Sequence, residues 1–115
     1  MGAMIAQACH VSTALLHYAH QAEHRATVEY LARYNRPHMH KVILETKDES
    51  TLMAILRRLN VLRGEQERAG VAIEDSVVFQ LWEEQPEFTK TCLAIAPNRR
   101  EPEIREVLKG TQLWR

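Results

Sequence analysis

The sequence of 115 residues has no net charge, only four glycines and only two cysteines. Its 15 Lys and Arg residues balance 15 Asp and Glu residues, so any contact with nucleic acid requires a local basic patch. Two cysteines exclude a disulfide scaffold, and an apolar fraction of 45% argues against a disordered chain. Length and composition therefore predict one globular domain over residues 1–115.

Long hydrophobic runs are also missing. The first 22 residues carry no charged side chain, but polar residues interrupt them well before the ~20 apolar residues that a membrane span requires. These interruptions are Gln7, His10, Ser12, Thr13, His17, His20 and Gln21. No basic segment precedes these residues either, so we expect that the first 22 residues are not a signal peptide. We expect a soluble, cytoplasmic protein that makes no contact with a membrane.

The local motifs of many enzymes and metal sites are absent. The sequence contains no GxSxG, P-loop, GxGxxG or HExxH motif, which removes the hydrolases and nucleotide-binding proteins that such motifs identify. No CxxC pair or Cys-His ligand spacing is present. We therefore predict that Cys9 and Cys92 are buried thiols rather than metal ligands or partners in a disulfide.

The hydrophobic pattern predicts a mixed α/β order. Steps of three and four predict helices, and short β-branched runs predict strands. The predicted helices cover residues 3–24, 27–34, about 52–62 with Asp48 or Ser50 as cap, and 102–109; the predicted strands cover 38–46, 76–82 and 91–96. This order implies an α/β protein with a small mixed sheet covered by helices.

One feature of this sheet is unexpected. The apolar runs VILE and CLAIA look like strands buried on both faces, yet three strands give two edges and only one centre. The sequence also begins with a methionine almost inside a helix. We therefore expect that the sheet lacks a first strand. Either residues upstream of Met1 in the native gene product supply this strand, or self-association, for example as a homodimer, or a strand rearrangement covers the exposed edges.

Histidines on the first helix are the first candidates for chemistry. His10, His17 and His24 fall within about 40° of one another on a helix, with His20 nearby and away from the apolar face. No carboxylate or cysteine stands at a matching step, so we predict solvent-facing side chains and no bound metal. His10 differs because Gln7 lies one turn before it. A neutral imidazole can accept a proton from water, and an amide can donate to an oxyanion.

Basic and aromatic residues are the remaining candidates. Two arginine pairs and three further basic residues could contact phosphates, although interspersed acids favour a solvated surface. These are Arg57-Arg58 and Arg99-Arg100, with Arg63, Lys90 and Arg105. Trp82 ends a predicted strand, where a core or rim position and a base-stacking position both remain open.

Four segments in order, GAMIAQACH, MHKVILE, LWEEQPE and TCLAIAP, resemble the second family of peptidyl-tRNA hydrolases, the archaeal and eukaryotic type. The resemblance spans nearly the whole chain and is closest to the branch called peptidyl-tRNA hydrolase domain-containing proteins. It implies a three-layer α/β/α fold with a four-stranded mixed sheet, whose first strand is not present in this sequence. It also implies hydrolysis, without a metal or cofactor, of the ester that joins a nascent peptide to tRNA in translation.

The family implicates a lysine, a glutamine, a histidine and an aspartate. By resemblance the glutamine is Gln7 and the histidine is His10, whereas Ala3 stands where the family has its lysine. The family's Asp-Ala-Gly segment is also missing, and Glu83 or Glu84 would have to replace the aspartate.

Further positions of the family match residues that would contact the substrate. Thr91 corresponds to the threonine that opens the last strand and is assigned to the catalytic group. Lys41 corresponds to the lysine that opens the second strand, where a structural role and contact with phosphate both remain open. We assign it to the substrate-binding group together with Lys90, Arg99 and Arg100. Gln7, His10, residues 82–85 and Thr91 should then converge on one cleft.

Two functions of different class follow from these residues. In the first, the protein is an esterase acting on peptidyl-tRNA, in which His10 or the carboxylate of Glu83 or Glu84 activates water and Gln7 positions the carbonyl. In the alternative, loss of the lysine and of the aspartate segment has impaired the chemistry, and the protein is a binding module for RNA or for a protein partner.

Overall fold

The computed structural model describes the backbone of residues 2–84 and 89–113 and, within them, the side chains of residues 5–33, 35–83 and 92–113. Helix α1 covers Gly2–Gln21 and helix α2 covers Arg25–Leu31. A 3₁₀ helix, Arg33–His38, follows α2 and leads to strand β1, Leu44–Glu45. Helix α3 covers Glu49–Arg68, and a second 3₁₀ turn covers Ile73–Asp75. Strands β2 (Phe79–Glu84) and β3 (Thr89–Ile95), helix α4 (Pro102–Val107) and strand β4 (Gln112–Leu113) complete the order.

Local chemistry explains the bounds of α3. The carboxylate of Asp48 accepts hydrogen bonds from the hydroxyl and the amide of Thr51 at 2.7 and 2.8 Å, which satisfies a donor of the first turn. These bonds, with the hydroxyl contributing most, hold the pKa of Asp48 below its usual range. At the other end, Gly70 takes a positive φ of 79°, a conformation that costs glycine little and stops the helix.

Strands β2 and β3 form an antiparallel pair that lies between helices. Side chains alternate between its two faces, as the period of a strand requires. Leu93 and Ile95 pack with Phe79 against a buried cluster from α3 and α4, whereas Ala94 and Ala96 pack with Val78 against α1. The cluster on the α3 side consists of Ile55, Leu59, Leu62, Val77, Ile104 and Val107. The pair is therefore buried on both faces, and the α/β class is confirmed.

The described strands pair differently from the expected single sheet. Strands β2 and β3 form one two-stranded sheet, while β1 pairs with β4 in a second, antiparallel one. Only Leu44 and Glu45 of the predicted strand 38–46 belong to β1. Val42 and Ile43 are half exposed, and β-branched residues favour a strand only where neighbours bury them. Strand β4 has no hydrophobic period and was not predicted.

The prediction for the cysteines is wrong for Cys9, which is exposed on α1, while Cys92 is partly buried in β3. Cys9 follows the helical pattern, but its position on the turn points away from Val11 and Leu15, the buried residues of α1. Within the described residues, no helix is long and apolar enough to cross a lipid bilayer.

Candidate functional site

A stacked pair of aromatic rings joins α1 to the end of β2. The imidazole of His10 lies over the indole of Trp82 with ring centroids 5.5 Å apart and an angle of 24° between the planes. His10 is exposed and Trp82 is partly buried. Trp82 lies two and four residues after Gln80 and Val78, so it extends from the face of β2 that meets α1. We call the surface formed by Gln7, His10, Trp82 and Glu83 the α1–β2 rim.

Gln7 belongs to this rim through its position on α1. It precedes His10 by three residues, which places the two side chains next to each other on the helix surface with Cβ atoms about 5 to 6 Å apart. Gln7 is partly buried, whereas His10 is exposed. The rim thus combines an amide that can donate a hydrogen bond with an imidazole whose edge remains accessible to water.

The polypeptide geometry changes where β2 reaches the rim. The pairing of β2 with β3 shifts register between Trp82 and Glu83, so that Trp82 opposes Cys92 while Glu83 opposes Lys90. A shift of this kind redirects side chains, and such irregularities occur next to active sites. The Glu83 side chain is exposed at this point. The side chains of Glu84, Lys90 and Thr91 lie outside the described residues, although their backbones belong to this end of the β2–β3 pair.

Lys41 contacts α1 on a different side from the one that carries His10. Its ammonium donates a 2.9 Å hydrogen bond to the hydroxyl of Ser12. Ser12 follows His10 by two positions, which corresponds to about 160° around the helix axis. Lys41 is therefore close to the same turn of α1 as His10, but the helix stands between them.

Arg99 and Arg100 follow the opposite end of the β2–β3 pair. Phe79 opposes Ile95 at that end, about 10 Å along the strand from Trp82. The guanidinium of Arg99 lies 3.6 Å from the carboxylate of Glu29 on α2, and Arg100 has a positive φ of 54°. The described structure thus separates these two arginines from the α1–β2 rim.

Two of the other arginines that could contact phosphates, Arg58 and Arg63, have partners within the protein. The guanidinium carbon of Arg63 lies over the ring of Phe79, 4.7 Å from the ring centroid. Arg58 donates hydrogen bonds to the carbonyls of Val107 and Lys109 at 2.9 and 3.2 Å. Arg58 therefore satisfies carbonyl groups at the end of α4.

The prediction of solvent-facing histidines is correct for His17 and His20 and wrong for His24. His24 is only 5% exposed. Its Nδ1 lies 2.7 Å from the hydroxyl of Thr27, and its Nε2 lies 2.9 Å from the carbonyl oxygen of Ser76. Because the carbonyl of Ser76 can only accept, the neutral ring carries its proton on Nε2 and the Thr27 hydroxyl donates to Nδ1. Among the described side chains, no three His, Cys, Asp or Glu residues are close enough together to hold a metal ion.

A cleft of about 200 Å³ lies beside His24 rather than at the rim. Its polar lining includes Asp75, which accepts a 2.7 Å hydrogen bond from the guanidinium of Arg25. This hydrogen bond holds the pKa of Asp75 below its usual range. Both ring nitrogens of His24 and the carboxylate of Asp75 already have partners, so the cleft offers no spare acid or base among these groups.

Sequence reasoning missed the buried contacts of His24 because it extended the first helix through this residue. A signal was present. Thr27 stands three residues after His24, the spacing at which the two side chains around a helix start can meet.

Comparisons with known proteins agree with the resemblance found in the sequence. The profile of the family described as "Peptidyl-tRNA hydrolase PTH2" matches residues 1–114. A mouse protein and a human protein, both named "Putative peptidyl-tRNA hydrolase PTRHD1", are 36% and 37% identical over 114 residues. Each alignment covers 99% of this chain and 69% of the relative. No solved structure matches the sequence with statistical significance. With a profile match along nearly its whole length and relatives above one third identity, the chain belongs to the PTH2 family of peptidyl-tRNA hydrolases.

Proposed function

We propose that the protein hydrolyses the ester bond between a peptide and the 3′ ribose of tRNA, and that the α1–β2 rim is its active site. The observation that carries this proposal is the stack of His10 on Trp82, because it joins the helix bearing Gln7 and His10 to the strand end bearing Glu83. Family membership supports the substrate class. An enzyme of this kind acts where translation occurs, in the cytoplasm.

The reaction requires a base for water and a donor for the oxyanion. His10 accepts a proton from water as the water oxygen attacks the carbonyl carbon of the ester. The amide of Gln7 donates a hydrogen bond to the oxyanion that forms on the carbonyl oxygen. Collapse of this intermediate breaks the bond to the ribose oxygen, which takes the proton back from His10. The products are a peptide carboxylate, formed as its proton enters solution, and tRNA with a free hydroxyl.

Trp82 is a positioning residue in this proposal. It holds the imidazole plane by stacking, and such aromatic contacts contribute about 0.5 to 1.5 kcal/mol beyond the buried area. Glu83, the next residue, supplies an exposed carboxylate in place of the family aspartate. In this proposal the carboxylate of Glu83 accepts the second hydrogen bond of the attacking water.

One feature favours a second function, binding of RNA or of a protein partner without hydrolysis. Ala3 stands where the family has a lysine, so this chain lacks that cation. On the scale of a single oxyanion donor, such a loss costs about 3 to 4 kcal/mol of transition-state stabilisation.

A single-turnover assay on a defined peptidyl-tRNA tests both functions. We expect His10→Ala to lower the rate of ester cleavage by about 10² to 10⁴ and Gln7→Ala to lower it by about 10² to 10³. The matched controls are His20→Ala and Gln21→Ala, which remove the same side chains from exposed positions on the same helix. Equal rates for test and control variants would contradict the proposed site. Wild-type protein that binds the substrate without cleaving it would establish the second function.

The role of Trp82 is tested by a pair of substitutions. Trp82→Phe keeps an aromatic ring under His10, and Trp82→Ala removes it. We expect the alanine variant to lose kcat while KM changes little, and the phenylalanine variant to recover most of kcat. Equal losses in both variants would show that stacking does not position the histidine.

A further inference from the structure

Basic residues are unevenly distributed along this electrically neutral chain. Three of the 15 basic residues, and none of the 15 acidic residues, lie between Tyr30 and Leu44. These are Arg33, Arg36 and Lys41, accompanied by His38 and His40. All five side chains are exposed. We call residues 33–41 the basic segment.

The backbone of the basic segment places its two arginines side by side. Arg33 and Arg36 both lie in the 3₁₀ helix that follows α2. With three residues per turn, side chains at i and i+3 extend in the same direction, about 6 Å apart along the axis. This separation is comparable with that of successive phosphates along a nucleic-acid strand. Each guanidinium can donate two parallel hydrogen bonds to one phosphate.

Several contacts hold the segment in place. The side chain of Asn35 donates a 3.1 Å hydrogen bond to the carbonyl of Tyr30, and the Tyr30 hydroxyl donates a 3.4 Å hydrogen bond to the carbonyl of His40. Lys41 attaches the end of the segment to Ser12 of α1. An ordered segment of this kind loses less conformational entropy when it binds a ligand.

The charges of the basic segment are not neutralised within the part of the protein that the structure describes. Arg25, Arg99 and Lys109 each lie within 4.0 Å of a carboxylate. No described carboxylate lies within that distance of Arg33, Arg36 or Lys41. These three cations therefore present their charge to solvent.

We propose that the basic segment binds the phosphate backbone of RNA, and this inference rests on the proposed function because it identifies the RNA as the tRNA part of the substrate. The segment reaches α1 at Ser12, within about one helical turn of His10 along the axis. Successive phosphates would lie against Arg33 and Arg36 on one side of α1, and the ester would lie at the α1–β2 rim on the other. The paired guanidinium groups, rather than scattered lysines, favour phosphates in a regular chain over a generally acidic surface.

Binding of deacylated tRNA tests the proposal without requiring hydrolysis. The test variant is the double substitution Arg33→Gln and Arg36→Gln. The matched control is Arg57→Gln with Arg105→Gln, which removes the same charge from exposed positions on α3 and α4. Lys41 is left unchanged because it also bonds to Ser12. Fluorescence anisotropy gives the dissociation constant at several salt concentrations, and thermal melts show that each variant is folded.

We expect the test variant to bind tRNA about tenfold more weakly than the wild type does. The slope of the logarithm of the binding constant against the logarithm of salt concentration should be smaller by about 2, one for each lost phosphate contact. The control should behave like the wild type. In the cleavage assay, the test variant should raise KM while kcat stays the same.

Several results would overturn the inference. These are equal effects of the two double substitutions, an unchanged salt slope in the test variant, and wild-type protein with no salt-dependent affinity for tRNA. Polyglutamate that competes as well as tRNA would assign the segment to an acidic protein partner. A test variant that loses binding to anionic phospholipid vesicles, while it binds tRNA as the wild type does, would assign the segment to a membrane surface. Wild-type protein that binds tRNA in this manner but does not cleave peptidyl-tRNA would contradict only the proposed hydrolysis.

Discussion

His10 and His24 begin as equivalent residues in the sequence and end in opposite environments. On one continuous helix they would lie within about 40° of each other. In the structure, His10 is exposed and stacks on Trp82, whereas His24 is 5% exposed and both of its nitrogens have hydrogen-bond partners. The same side chain is therefore available for proton transfer at one position and part of the folded framework at the other.

The difference originates in the turn between α1 and α2. Helix α1 ends at Gln21, and Glu23 adopts a φ of 59°, the left-handed conformation that is costly for a residue with a side chain. The amide of His24 then bonds to the carbonyl of Ala19, and its own carbonyl accepts from Val28 in α2. This turn directs His24 into the protein toward Ser76. Two residues of irregular backbone thus separate a solvent-facing histidine from a buried one.

The strongest test of this comparison is a pair of alanine substitutions. His24→Ala leaves the buried hydroxyl of Thr27 and the carbonyl of Ser76 without their partner and opens a cavity. We expect it to lower the free energy of unfolding by about 3 kcal/mol. His10→Ala removes an exposed stack and should cost less than about 1 kcal/mol. Urea denaturation measures both values.

Activity should show the reverse order. His24→Ala should retain the cleavage rate of the wild type at temperatures where it is folded, while His10→Ala should lose it. Equal losses of stability in the two variants would mean that the environments of the histidines do not differ as described.

A smaller effect is expected from removing the partner of His24 on α2. Thr27→Val keeps the shape of the side chain but deletes the hydroxyl, so Nδ1 of His24 loses its donor. We expect a loss of about 1 to 2 kcal/mol in the free energy of unfolding. Thr27→Ser retains the hydroxyl and serves as the control for the hydrogen bond.

The tautomer of His24 provides an independent measurement. Nitrogen-15 NMR of the wild type should show the proton on Nε2, because the Ser76 carbonyl can only accept. A proton on Nδ1 would contradict the assigned hydrogen bonds. For the solvent-exposed ring of His10 we expect the two tautomers to exchange.

The smallest expected effect concerns the pH dependence of stability beside His24. The hydrogen bond from Arg25 lowers the pKa of Asp75, so the carboxylate stabilises the fold above the ordinary carboxyl pKa of about 4, and this contribution is lost as pH falls through the lower folded value. Asp75→Asn should therefore be less stable than the wild type at neutral pH, and the difference should shrink below about pH 4. A difference that stays constant down to pH 2 would show that the ion pair does not contribute in this way.

Some of the fold follows directly from local patterns. The capping side chain of Asp48 marks the start of α3, and Pro102 marks the start of α4, because both act through their own backbone neighbours. The apolar run that includes Leu93 and Ala94 correctly indicates a strand buried on both faces. Gln7 and His10 are adjacent for the same reason, since they lie on one helix at a spacing of three residues.

Other features depend on contacts between distant segments. The predicted strand 38–46 shortens to Leu44 and Glu45 because its partner is the two-residue strand β4, which has no periodic signal. The second helix was predicted to extend to residue 34, but it ends at Leu31 and continues as a 3₁₀ helix that includes Pro37. Such changes depend on partners that lie many residues away along the chain.

The sequence by itself determined the α/β class, the approximate positions of the helices and the family, because hydrophobic period, capping residues and short ordered motifs act within a few residues of one another. Only the tertiary structure decided that His10 meets Trp82, that His24 is buried against Ser76 and that Lys41 lies across α1 from the rim. Each of these contacts joins residues 29 to 72 positions apart. Their geometry depends on the turns between elements, where one residue in the left-handed conformation, such as Glu23, changes the direction of the chain that follows it.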